Sequence, residues 1–230
     1  MQGFLFFEFK QYIQKKLGLN IWEDILKKAG LGPKMYISLL GYPDEEFNAI
    51  IFAASELTGK SVPYILEDFG MYMMPGYIRI ASHKIDPKWN VLDLLENVPV
   101  VFRHILVSAF TGSLPPLMKF VRNKPDEVTI YYTSPRKLCI LGRGIIRGFA
   151  KYCNNEVKVT ELSCMLKGDP QCQIIVKLLP TAPSGILKKE TPLVKVGPQS
   201  TSTKPENTPS LGPTITPSAN PWTIPPDQKK

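Results

Sequence analysis

Three polar groups alternate in Tyr132-Thr133-Ser134-Pro135-Arg136. In an extended segment alternate side chains point to the same side. A phenol, a hydroxyl and a guanidinium facing one way make a clamp for an anion. The guanidinium fork suits a carboxylate, because its donors can pair with both oxygens at once. Read alone, the same five residues also fit a strand end carrying a surface arginine.

Cysteines form a second constellation. Cys164 and Cys172 bracket Leu166-Lys167-Gly168-Asp169-Pro170, a turn between two strands, and Cys139 and Cys153 lie upstream. Thiolates ligate zinc, which takes four tetrahedral ligands. A spacing of seven between two cysteines is looser than the usual metal-binding spacing. Buried free thiols and a redox-active pair therefore remain alternatives. The chain has two histidines. His104, in Phe102-Arg103-His104-Ile105-Leu106-Val107, puts an imidazole on an otherwise apolar helix face. That suits metal ligation, and it equally fits a core histidine without a metal. No nucleophile–base pair, paired catalytic carboxylates or phosphate-binding loop is evident, so no enzymatic activity is expected.

The elements that must position these residues divide by period. Up to about residue 110 the pattern is helical. An amphipathic stretch covers 2–17, and a short helix carries Trp22, Ile25 and Leu26 and stops at Gly30. Pro43-Asp44-Glu45-Glu46 reads as a helix start, with acids at the positive end of the dipole, and that helix runs to Thr58-Gly59. Another begins near Ser61 and is expected to end at Pro75-Gly76. A further helix covers roughly 90–110, kinked or divided at Pro99. Strands are then predicted at 117–122 and 127–132, a helix at 137–152, and strands at 157–162 and 171–178. Asn154-Asn155 suits the helix exit. Helices first, then β-β-α-β-β, indicate an α+β fold with a helix packed on an antiparallel sheet.

The chain has 230 residues, 43% of them hydrophobic, and a formal charge of +8. The positive charges are scattered among acids, as in Trp22-Glu23-Asp24-Ile25-Leu26-Lys27-Lys28. No basic stripe with interleaved aromatics appears, which argues against nucleic acid. No run of about 18 apolar residues is present to span a membrane. Residues 1–10 lack a basic region and a small-residue cleavage site, so they do not read as a signal peptide. A cytoplasmic protein is expected. Residues 181–230 hold ten of the 22 prolines with many Ser, Thr and Asn. They are expected to form a disordered tail behind a domain at 1–180.

Taken in order, several short motifs resemble one family. They are Met1-Gln2-Gly3, Ala53-Ala54-Ser55-Glu56-Leu57-Thr58-Gly59-Lys60, Phe69-Gly70, a histidine late in the helical half, Pro115-Pro116 and the Tyr-x-Ser-x-Arg clamp. The chain resembles the haem-nitric oxide/oxygen-binding (H-NOX) family over residues 1–180. The resemblance implies a haem b gas sensor, with Tyr132, Ser134 and Arg136 on the haem propionates and His104 ligating the iron. The interval from His104 to Pro115-Pro116 is one residue shorter than the family pattern. Counted from the prolines, Arg103 would take the ligand place, and a guanidinium cannot replace the imidazole. Pro116 matches a proline that packs on the porphyrin.

Oxygen-binding members carry a tyrosine five residues after the clamp arginine. Leu141 stands there, and Leu5, Phe9, Met73 and Ile145 are the expected pocket neighbours. An apolar pocket withholds a hydrogen bond from O2. The resemblance therefore implies nitric oxide, and also CO, as ligands, with discrimination against O2 unless Tyr72 or Tyr77 turns inward. It further implies output to a partner such as a histidine kinase or a cyclic-dinucleotide enzyme. Some members hold zinc on cysteines placed like Cys139, Cys164 and Cys172, and here Glu161 or Cys153 would supply the fourth ligand. The alternative from another class is a zinc or thiol redox sensor, or a small-molecule-binding module similar to the vinyl-reductase-like domains.

Overall fold

The computed structural model describes residues 1–102 and 116–180. Among these are six α-helices, two single 3-10 turns and one four-stranded sheet. His104, the expected helix beyond residue 102 and the segment 181–230 lie outside the described residues.

Helix α1 spans Gly3–Leu17 and α2 spans Ile21–Lys28. Helix α3 spans Asp44–Thr58 and α4 spans Val62–Ala81. Their apolar faces meet in an aromatic core in which Phe6, Phe9, Phe47 and Phe69 are fully buried. Phe9 meets Phe69 edge to face, with ring centroids 5.0 Å apart, the arrangement that aromatic quadrupoles favour. Helix α3 opens on Asp44, Glu45 and Glu46 and ends at Gly59 with φ 67°, a left-handed cap that glycine adopts without Cβ strain. Helix α4 is capped by Ser61, whose side chain accepts from the Tyr64 N–H.

Helix α4 does not end at Pro75-Gly76 as the sequence suggests. It continues through both residues to Ala81. Proline removes one helical hydrogen bond, at a cost of roughly 3 kcal/mol in a helix interior. Burial of Met73, Met74 and Ile78 on either side of it holds the helix together, and Pro75 and Gly76 face outward.

Helix α5 spans Val91–Val101 and starts with a reciprocal Asn90/Asp93 capping box. Its first N–H, of Val91, donates to Asn155 Oδ1 at 2.8 Å. Strands β1 (Leu117–Lys124), β2 (Glu127–Thr133), β3 (Val157–Ser163) and β4 (Cys172–Leu178) form an antiparallel sheet in the order β1-β2-β4-β3. Helix α6, Cys139–Tyr152, leaves the sheet after β2, and Asn154 at φ 53° turns the chain out of it. The α+β arrangement is thus the one expected from the change of period.

Helices α4 and α6 pack backbone to backbone. A Cβ added at Gly144 would overlap the Glu67 carbonyl, and one at Gly70 would overlap the Leu141 carbonyl. Above this contact Glu67 pairs with both Arg143 and Arg147. The α1–α5 half and the sheet-bearing half therefore meet along a seam of glycines and one carboxylate. No helix among the described residues is long and apolar enough to cross a membrane.

Candidate functional site

Strand β2 ends in the clamp. Tyr132 pairs across to Met118 on β1 and Cys172 on β4, so it stands mid-sheet. The chain then turns toward α6. The Arg136 N–H donates to Ser134 Oγ at 3.3 Å, and the Leu138 N–H donates to the Tyr132 hydroxyl at 3.2 Å. These bonds hold the three side chains in one locality, although β2 ends at Thr133 and Ser134 and Arg136 lie in a turn rather than in the extended segment that alternation requires. Ser134 is 2% exposed. Burial pushes the Tyr132 phenol up to about 12, so it remains a neutral donor. The Arg136 guanidinium meets Asp44 Oδ2 at 2.8 Å.

The clamp residues line a cavity whose remaining wall is almost wholly apolar. Helix α1 contributes Phe4 and Leu5, and α4 contributes Met73, Met74 and Tyr77. Leu141 and Ile145 come from α6. Met118, Phe120 and Ile130 come from the sheet, and Pro116 stands at the entry to β1. Leu5, Met73, Leu141, Ile145 and Pro116 are thus brought together with Tyr132, Ser134 and Arg136. Phe9 is not among them. It is fully buried among Trp22, Phe47 and Phe69, so the aromatic core between the helices takes this ring although position 9 lies one turn from Leu5 on α1.

Asp44 escaped the sequence reading. It had a local explanation as a helix-start acid, yet it reaches the clamp. Between the two tyrosines that the sequence left open, the structure separates them. Tyr77 lines the cavity, whereas Tyr72 faces an outer groove with Glu8 and Lys15. The spacing of Tyr77 four residues after Met73 was the signal for it.

The arrangement fits a flat apolar ring with anionic substituents. Apolar side chains from both halves would take the ring, and a cation with two hydroxyls would take its carboxylates. His83 is exposed in the 3-10 turn after α4 and does not line the cavity.

Beside the clamp lies the cysteine cluster. The sulfurs of Cys139, Cys164 and Cys172 all lie within 4.8 Å of one another, and all three residues are buried. Cys139 and Cys164 are 3.6 Å apart. Cys172 Sγ accepts the Met165 N–H at 3.2 Å. Hydrogen bonds from the two neighbouring thiols push Cys172 down, and the same contacts push Cys139 up. Asp169 shapes the turn by accepting the Cys164 N–H at 2.7 Å. Cys153 is excluded from this cluster. It follows Cys139 by fourteen residues along α6, about 21 Å of helix. Glu161 lies near Cys164 and pairs with Lys167 Nζ at 3.3 Å.

A sequence model of the haem-NO-binding family matches residues 2–161. The chain belongs to the haem-NO-binding, or H-NOX, family. Solved H-NOX structures share the fold. An H-NOX protein from S. oneidensis in the Fe(II)NO state superposes with a TM-score of 0.70 at 19% identity, covering 78% of this chain and 100% of that one. A point mutant of T. tengcongensis H-NOX gives 0.68 at 21% identity, covering 77% and 97%. An unliganded Fe(II) H-NOX mutant from K. algicida gives 0.66 at 15% identity, covering 78% and 97%. No curated protein matches the chain. H-NOX domains are haem-based gas sensors, and this H-NOX chain shares their antiparallel sheet and helical half.

Proposed function

We propose that residues 1–180 form a sensor domain that binds haem b in the apolar cavity and responds to nitric oxide, with CO as a second ligand. The observation that carries this reading is the convergence of Tyr132, Ser134 and Arg136 on one end of an otherwise apolar cavity. Haem would supply an iron with an open position for a diatomic gas. Arg136 pairs with one or both propionates, and Tyr132 and Ser134 donate hydroxyl hydrogen bonds to them. The family resemblance gives His104 as the residue that would hold the iron. Pro116, Leu5 and Ile145 line the cavity and would pack against the ring.

Signalling in this reading is a population shift. The Asp44–Arg136 pair and the α4–α6 seam join two halves that share the cavity. A gas whose affinity differs between two arrangements of those halves moves the balance between them. The output passes to a partner protein. A histidine kinase or a cyclic-dinucleotide enzyme is the proposed kind, in a cytoplasmic setting. No catalytic step is assigned to the chain itself. The reading includes discrimination against O2, because Leu141 stands where oxygen-binding members carry a tyrosine.

A structural zinc ion is the second proposal, favoured by the three convergent sulfurs. Cys139, Cys164 and Cys172 would supply three tetrahedral ligands and Glu161 the fourth.

The deciding experiment is an absorption spectrum of the reduced, haem-loaded protein, alone and then under CO and nitric oxide. A Soret band that shifts with each gas supports the reading. A protein that stays colourless after haem loading would overturn it.

A further inference from the structure

We propose that the outer groove beside Tyr72 is a second ligand site, which takes a nucleoside phosphate whose base presents N–H donors. The inference is independent of the haem reading. The groove lies between α1, α4 and α6 and encloses about 540 Å3, a volume ordinary for small-molecule sites.

Its rim is cationic. Lys15 stands in the last turn of α1, Arg79 in that of α4 and Lys151 in that of α6. All three are exposed groove residues, and none makes an ion pair among the described residues. Lys16, by contrast, is already paired with Asp68 at 3.0 Å. A cation near a helix C-terminus complements the dipole. That accounts for one cation on each helix and not for the convergence of three on one groove. Unpaired cations gathered round a concave site attract an anion such as phosphate.

Deeper in the groove stand acceptors. Glu8 is half-buried and makes no hydrogen bond or ion pair among the described residues. Pro75 has no N–H, so the Met71 carbonyl one turn earlier has no helical donor, and both residues line the groove. A carboxylate can only accept. Guanine presents a ring N–H and an amino group side by side, which one carboxylate takes on both oxygens. Tyr152 lines the same groove and is 45% exposed, and an exposed ring is a stacking platform for a base. Glu8 and Lys15 lie seven residues apart on α1, two turns or about 10.5 Å. One nucleotide has that reach from base edge to phosphate.

The test is calorimetric titration of the full chain with GMP, guanosine and inorganic phosphate. GMP is expected to bind saturably at one site, with guanosine and inorganic phosphate each at least about 10-fold weaker. Glu8→Gln should weaken GMP about 10-fold and leave inorganic phosphate unchanged. Arg79→Ala and Lys151→Ala should weaken both, whereas Lys27→Ala on α2, outside the groove, should change neither. Inorganic phosphate that binds as tightly as GMP, or GMP binding that Glu8→Gln leaves intact, overturns the assignment of the base to Glu8. A chain that shows no saturable GMP binding overturns the site. Each of these results leaves the haem reading standing, because none of them is read at the haem cavity.

Discussion

Asp44 Oδ2 lies 2.8 Å from Arg136 Nε, joining the first turn of α3 to the loop that enters α6. The Arg136 side chain is 12% exposed and that of Asp44 is 36%. The carboxylate holds the guanidinium in place from the helical half while the sheet half carries the rest of the clamp. A group bound by Arg136 is therefore held by a side chain that the helical half anchors.

Replacing Arg136 should test that link directly. Arg136→Ala removes a charged donor facing the cavity, a loss of about 1.5–3 kcal/mol in haem binding. Haem transfer to an apo-globin acceptor should accelerate roughly 10- to 100-fold. Asp44→Asn keeps the guanidinium, so its effect should be smaller. Equal haem loss from wild type and Arg136→Ala would remove Arg136 from the clamp.

His104→Gly should lose its Soret band, and added imidazole should restore it by filling the vacated ligand place. Arg103→Ala should keep the band. The reverse pattern would refute the ligand assignment.

The glycine seam sets a stability prediction. Gly144→Ala forces a methyl into the Glu67 carbonyl and should destabilise the fold by about 1–3 kcal/mol in urea unfolding. Gly76→Ala, with nothing within 4 Å, should be neutral or stabilising by up to about 1 kcal/mol. Similar midpoints for the two variants would contradict the close approach of α4 and α6.

Zinc analysis separates the cysteines. Wild type should carry one zinc per chain, Cys172→Ser should lose it, and Cys153→Ser should keep it. A wild-type protein purified in zinc-supplemented buffer that holds none would leave the trio as free thiols.

Burial raises the Glu8 carboxyl above its ordinary 4.5. A raised carboxyl binds more protons in the folded state than in the unfolded one. Its contribution is present below pH 4.5 and is lost as pH rises through the folded value. Glu8→Gln should therefore be more stable than wild type at neutral pH, with the gap closing as pH falls through the raised folded value and gone by about 4.5. A gap that does not change with pH would show that Glu8 is fully solvated.

The chain order of helices and strands was legible because periodicity and caps are local. Asn90, Ser61, Gly59 and Asn154 each sit where the backbone demands them. The end of α4 was misread at Pro75, since a local breaker was outweighed by burial of Met73, Met74 and Ile78, which no local window contains. The residue types of Tyr132, Ser134 and Arg136 also showed in the sequence, but β2 ends at Thr133, and it is the turn into α6 that brings Ser134 and Arg136 to the cavity.

Which residues share a cavity was decided only by tertiary structure. Phe9 left the expected pocket and Tyr77 entered it. Asp44 crossed to Arg136, ninety-two positions away in the chain. Three cysteines met while Cys153 went to the far end of α6. Spacing along one element specifies a face, but proximity between elements depends on how their faces pack, and that packing is settled by the whole core at once.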